Sequence, residues 1–171
     1  MNLAEAKLSG DKIIQAVKDG GINTILSVPD RTTEKGLLRR ISEDPMLRNV
    51  RVAKEDETVG ISAGLSYSGT RALCLFQYTG LLDSLNAIRA IAMEYSMPIC
   101  MMVGLLGKKP GVPPTESENY GIRIIEPVLD AMEVPHLLLE TDADLPLVSP
   151  AIERAYETST PIAFLIGRSP S

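Results

Sequence analysis

The feature that most constrains this chain is a set of short segments rich in apolar side chains and lacking any period of two. INTILSV (22–28), RALCLF (71–76), PICMMVG (98–104) and PIAFLIG (161–167) read as strands with no wet face. VRVA (50–53) and HLLLE (136–140) add two shorter ones. Between them run segments whose apolar residues recur at three and four: DKIIQAVKD, EKGLLRRISED, LLDSLNAIRAIAMEY, IRIIEPVLDAME and LPLVSPAIERAYETS. Strands buried on both faces and separated by amphipathic helices require a parallel sheet covered on both sides. The predicted fold is therefore α/β, a three-layer sandwich with a mostly parallel sheet of about six strands. At 171 residues, the chain is expected to form a single domain over 1–171.

Local punctuation agrees with this reading. Ser9 is placed to cap the first helix and Gly20 and Gly21 to end it, while Pro29 closes the first strand. Gly36 interrupts the second helix, and Pro127 marks an early-helix or kink position. In open parallel sheets, ligands lie beyond the carboxyl ends of the strands. Attention thus falls on VPDRTT (28–33), AKEDE (53–57), QYTG (77–80) and the long loop GKKPGVPPTESENYG (107–121), which is either functional or a plain surface loop.

Composition excludes several classes of function. A net charge of −5, no block of Lys or Arg, no Trp and two Phe argue against a nucleic acid or a membrane surface as partner. Cys74 and Cys100 lie in apolar runs and read as buried free thiols. The start lacks the pattern of a secretory leader and no run of about 18 apolar residues occurs, so a cytoplasmic protein is expected.

Catalytic groups are scarce. The sequence has no GxxxxGK[ST], no GxGxxG and no HExxH, and no metal-ligating set is identified in it. His136, the one histidine, follows Pro135 at a strand start and reads as a hydrogen-bonded packing residue. An enzyme built on this chain takes its chemistry from a cofactor or from another subunit.

In KEDETVGISAGLSYSG (54–69), three acids precede a helix of small residues. Glu55, Asp56 and Glu57 suit the positive end of a helix dipole, and Gly60, Ala63 and Gly64 let another element approach closely. The order of strand, acid, small-residue helix, strand, QxTG turn and helix resembles the pyrimidine-binding domain of thiamine diphosphate-dependent enzymes. In those enzymes a Glu stands nine residues before the Gly that closes such a helix, as Glu55 does before Gly64. SVPD (27–30), KEDETVGISAGLSYSG, QYTGLLDSLNAI (77–88) and MPICMMVGLLG (97–107) are most similar to the alpha subunit of the sulfopyruvate/phosphonopyruvate decarboxylase family, across essentially the whole chain.

The resemblance implies a pyrimidine-binding subunit of a two-component 2-oxo acid decarboxylase. It implies that Glu55 hydrogen-bonds N1′ of the cofactor's aminopyrimidine and so promotes loss of the thiazolium C2 proton. Gln77, Thr79 and Gly80 would line the cofactor cleft; otherwise they form a tight turn with Thr79 as cap. Pro29, Asp30, Arg31 and Thr32 match a substrate-side loop, in which Arg31 either holds a second anionic group of the substrate or pairs with Asp30 or Glu34. Family members bind the diphosphate and its Mg²⁺ through a GDG motif that this chain lacks. The resemblance therefore implies a beta subunit carrying that half, in an α₂β₂ or higher assembly. Two other readings stay open: a subunit of another thiamine-dependent carbon-carbon lyase or ligase, and a non-catalytic regulatory subunit.

Overall fold

A computed structural model describes residues 6–171. Six strands form one sheet: β1 (Thr24–Ser27), β2 (Arg48–Arg51), β3 (Ala72–Gln77), β4 (Cys100–Gly104), β5 (His136–Leu139) and β6 (Ile162–Ile166). Every pairing is parallel, and the order across the sheet is β2-β1-β3-β4-β6-β5. The four inner strands are buried almost throughout, which is why their sequences carry no period of two.

Helices cover both faces. On one side α1 (Gly10–Asp19), α2 (Arg39–Glu43) and α8 (Val148–Thr158) pack Ile13, Val17, Ile41 and Ile152 onto Leu73, Leu75, Met102 and Phe164. On the other, α3 (Glu55–Tyr67), α4 (Tyr78–Asp83), α5 (Leu85–Ala87), α6 (Tyr120–Arg123) and α7 (Ile125–Ala131) close over Cys74, Phe76, Met101 and Val103. The residues alternate between the two cores along each strand, as the pleat demands. No helix among the described residues is long and apolar enough to cross a membrane.

Several local features have direct causes. The Ser9 hydroxyl accepts from Lys12 N at 3.4 Å, and Gly21 takes φ 77°, so α1 starts and stops where expected. α2 is preceded by a π-helical turn over Glu34–Leu38. Gly36 lies in it because a Cβ there would meet the Pro170 carbonyl oxygen at 1.9 Å. β2 runs over 48–51 rather than 50–53, in register with β1 through Thr24 and Arg48. As an edge strand it has little burial contrast to fix its ends from sequence.

The exit routes of the strands decide where a crevice opens. β1 leaves toward the α2 side and β3 leaves toward the α4 side, so the chain parts between two neighbouring strands at their carboxyl ends. That is the topological switch point at which open α/β sheets receive ligands.

Candidate functional site

All strands being parallel, the ends of β1, β2, β3 and β4 lie at one edge of the sheet, and the predicted site residues gather there. Glu55 is the first residue of α3 and is half-buried. A Cβ placed on Gly80 would lie 2.2 Å from Glu55 Cγ and 2.5 Å from its Oε1. The missing side chain at Gly80 is thus the space that the Glu55 side chain occupies. Among the described residues, no side-chain or backbone donor meets the Glu55 carboxylate.

Its two acidic neighbours are engaged in other ways. The Glu57 carboxylate accepts from the backbone N–H of Ala53 (3.0 Å) and of Lys54 (3.2 Å), capping the start of α3. Asp56 lies 3.7 Å from the Lys54 ammonium. The carboxylates of Asp56 and Asp83 raise the Lys54 ammonium above its ordinary range. Helix-start complementation accounts for Glu57; Asp56 Oδ1, like the Glu55 carboxylate, has no hydrogen-bond partner among the described residues, and what sets Glu55 apart is its place against Gly80.

At the end of β1, Asp30 is 2 % exposed. Its Oδ1 accepts from Thr32 N (3.1 Å) and from Gln77 Nε2 (3.0 Å), and its Oδ2 from Thr33 N (3.2 Å) and Thr33 Oγ1 (3.1 Å). Gly104 at the end of β4 makes room for it, since a Cβ there would stand 1.9 Å from Asp30 Oδ2. Gln77 Oε1 faces the other way and accepts from Thr79 Oγ1 at 3.1 Å. Thr79 lies inside the first turn of α4, whose cap position is Gln77, so it does not act as the cap.

Pro29 and Arg31 are exposed, and Arg31 makes no ion pair within the chain among the described residues. The pairing of Arg31 with Asp30 or Glu34 is not formed; Asp30 is committed to its own loop and to Gln77. Thr32 is 5 % exposed, and its hydroxyl is buried without a partner. A buried hydroxyl left unpaired at a strand end marks a place where another group is wanted.

Sequence reasoning missed the way the long loop is held. Asn119 Nδ2 donates to the Tyr78 hydroxyl at 3.2 Å, tying the loop to the turn that carries Gln77 and Gly80. The Lys108 ammonium is buried and bonds to Glu140, which also accepts from Gly111 N at 3.1 Å. This pair joins the exits of β4 and β5. Under the loop lies a cavity of about 440 Å³ lined by Lys108, Lys109, Val112, Ser117 and Asn119. His136 sits away from this edge at the start of β5, its Nδ1 3.1 Å from the Val134 carbonyl, the packing role expected of it. Among the described residues no group of three or more His, Cys, Asp or Glu side chains is placed to hold a metal ion.

With this geometry in place, similarity to known proteins identifies the chain's relatives. It is 31% identical over 154 residues to the sulfopyruvate decarboxylase subunit alpha of Methanocaldococcus jannaschii, covering 90% of this chain and 89% of that one. The chain belongs to the sulfopyruvate decarboxylase alpha-subunit family. The alpha subunit of Methanococcus maripaludis is 26% identical over 172 residues, covering 97% of this chain and 95% of its own. A longer protein named sulfopyruvate decarboxylase, from Methanosarcina acetivorans, is 27% identical over 158 residues, which are 39% of its length. No protein-family model matches the chain. In this alpha-subunit family member, Asp30 and Gln77 meet at the strand ends although they stand 47 positions apart in the chain, and Glu55 lies against Gly80 in the turn that Gln77 begins.

Proposed function

We propose that the chain is the pyrimidine-binding subunit of a two-component, thiamine diphosphate-dependent decarboxylase acting on a small 2-oxo acid with a second anionic group. The observation that carries this reading is the Glu55 carboxylate, half-buried on Gly80 at the switch-point edge and without a donor from its own chain. The fit to the aminopyrimidine rests on that unsatisfied acceptor, which the missing side chain of Gly80 lets sit against the start of α4. Bound thiamine diphosphate supplies the electron sink for loss of carbon dioxide.

In this proposal Glu55 holds a proton at the cofactor's ring nitrogen and exchanges it through the hydrogen bond it makes there. Gly80 fixes the height of the carboxylate, and Gln77 and Thr79 line the cleft beside it. On the substrate side, the unpaired Arg31 guanidinium and the orphan Thr32 hydroxyl offer donors to the acid groups, with Pro29 and Asp30 shaping their loop.

The diphosphate and Mg²⁺ are assigned to a beta subunit in an α₂β₂ or higher assembly. The relatives' name, subunit alpha, supports a second component. So does the Methanosarcina protein, in which the stretch similar to this chain fills well under half of a polypeptide named as the whole decarboxylase. The test is reconstitution. By calorimetry the chain alone should bind thiamine diphosphate weakly, and it should decarboxylate nothing; mixing it with the beta subunit, cofactor and Mg²⁺ should yield decarboxylation of sulfopyruvate. Tight cofactor binding by the chain alone would overturn the assignment.

A further inference from the structure

Asp30 is the most heavily engaged carboxylate at the switch point: two backbone N–H groups, one hydroxyl and one carboxamide all donate to it. Both of its oxygens already accept a backbone N–H. The partner across the crevice must therefore be a donor, and this decides which way the Gln77 carboxamide turns. Its NH₂ points inward to Asp30, and its carbonyl oxygen points outward, where it accepts from Thr79.

We infer that Asp30 is a positioning residue, which ties the substrate-side loop to the Gln77–Gly80 turn and fixes that wall of the crevice with hydrogen-bond acceptors outward. It does so through Gln77, without touching the ligand itself. The wall formed by Gln77 Oε1 and Thr79 Oγ1 takes a group that carries an N–H or O–H. The acid groups of a substrate are left to Arg31 and Thr32 on the opposite loop. Tight packing of Asp30 against Gly104 keeps the carboxylate from swinging away. The bond joins the ends of the neighbouring strands β1 and β3, so displacement of either loop is felt by the other.

This inference rests on the proposed function for its catalytic consequence, and the clamp itself is tested separately. The sequence contains two glutamines, Gln15 on an exposed face of α1 and Gln77, so ¹⁵N-glutamine labelling of the full chain gives two side-chain NH₂ pairs. The Gln77 pair should exchange with solvent at least about 10-fold more slowly than the Gln15 pair, as expected of a part-buried bond to a carboxylate. Asp30→Ala should remove that protection. Gly104→Ala, which displaces the same carboxylate without changing its charge, is a second variant with the same expected result. Equal exchange at both glutamines in the unmodified chain, or protection surviving in both variants, would overturn the clamp.

The catalytic consequence is read in the assembly with the beta subunit. Asp30→Ala and Gln77→Leu should each lower kcat/KM for decarboxylation about 10- to 100-fold, and the double variant should be no worse than Asp30→Ala alone, because one residue acts through the other. Losses that multiply would show that Asp30 acts independently of Gln77. An assembly with no thiamine diphosphate-dependent activity would remove the proposed function, while leaving the exchange measurement to stand or fall by itself.

Discussion

Glu55 and Gly80 occupy one space: the glutamate's methylenes and carboxyl lie where a side chain at position 80 would be, with Cγ 2.2 Å from the Cβ that Gly80 lacks. The contact brings the start of α3 onto the start of α4, and thereby sets an acid from one strand end over the turn of another. Substituting Gly80→Ala should therefore displace Glu55 rather than fill a void. The expected outcome is a loss of decarboxylation by the assembled enzyme of at least 10-fold, with a stability cost of about 1–3 kcal/mol for the overpacking. Activity assays beside denaturant melts check it; an alanine variant with full activity would show that the position of Glu55 is not critical.

The buried ion pair between Lys108 and Glu140 makes a prediction about stability. With 1% of the lysine side chain and 14% of the glutamate's exposed, neither charge is well hydrated. Lys108→Met alone strands the carboxylate and should cost about 3–5 kcal/mol. Adding Glu140→Leu should recover most of that loss, as read from urea midpoints of the two variants.

Acid sensitivity has an identifiable contributor at the start of α1. The hydrogen bond from Lys12 at 2.7 Å, and then that from Ser9 N at 2.7 Å, hold the Asp142 carboxyl below its usual range. A carboxyl whose folded pKa is lowered stabilises the fold at pH values above its unfolded pKa, and that contribution is lost as pH falls through the folded pKa. Asp142→Asn should thus be less stable than the parent at neutral pH by no more than about 1 kcal/mol, since Lys12 is largely exposed. The gap should close at acid pH, which thermal melts at neutral and acid pH would show.

The two cysteines lie on neighbouring strands but belong to opposite cores. Burial pushes the Cys74 thiol up to about 11, and burial raises that of Cys100 as well. Neither should react with a thiol reagent at neutral pH until the protein unfolds. Rapid labelling of the native chain would contradict the packing described.

What was legible in the sequence followed from burial. β3, β4 and β6 are covered on both faces, so their apolar runs announced a parallel sheet, and the capping residues of α1 stood where the chain turned. The edge strand β2, half-exposed along its length, begins two residues before the segment its pattern suggests, because nothing in that pattern fixes its ends. The spacing of Glu55 to Gly64 singles it out only through the family resemblance. Its contact with Gly80 was not legible, nor was the bond from Gln77 to Asp30, because both depend on which strands are neighbours. Lys108 read as one charge in a polar loop; only the meeting of the β4 and β5 exits shows it buried against Glu140.

The central claim, that the Glu55 carboxylate meets the pyrimidine ring of bound thiamine diphosphate, is tested most directly by exchange of the cofactor's C2 proton with deuterium in the reconstituted enzyme. Glu55→Gln should assemble with the beta subunit as the parent does, yet slow that exchange by at least about 100-fold, the scale of a lost proton-transfer partner. Exchange at the parent rate in the assembled Glu55→Gln enzyme would contradict the account.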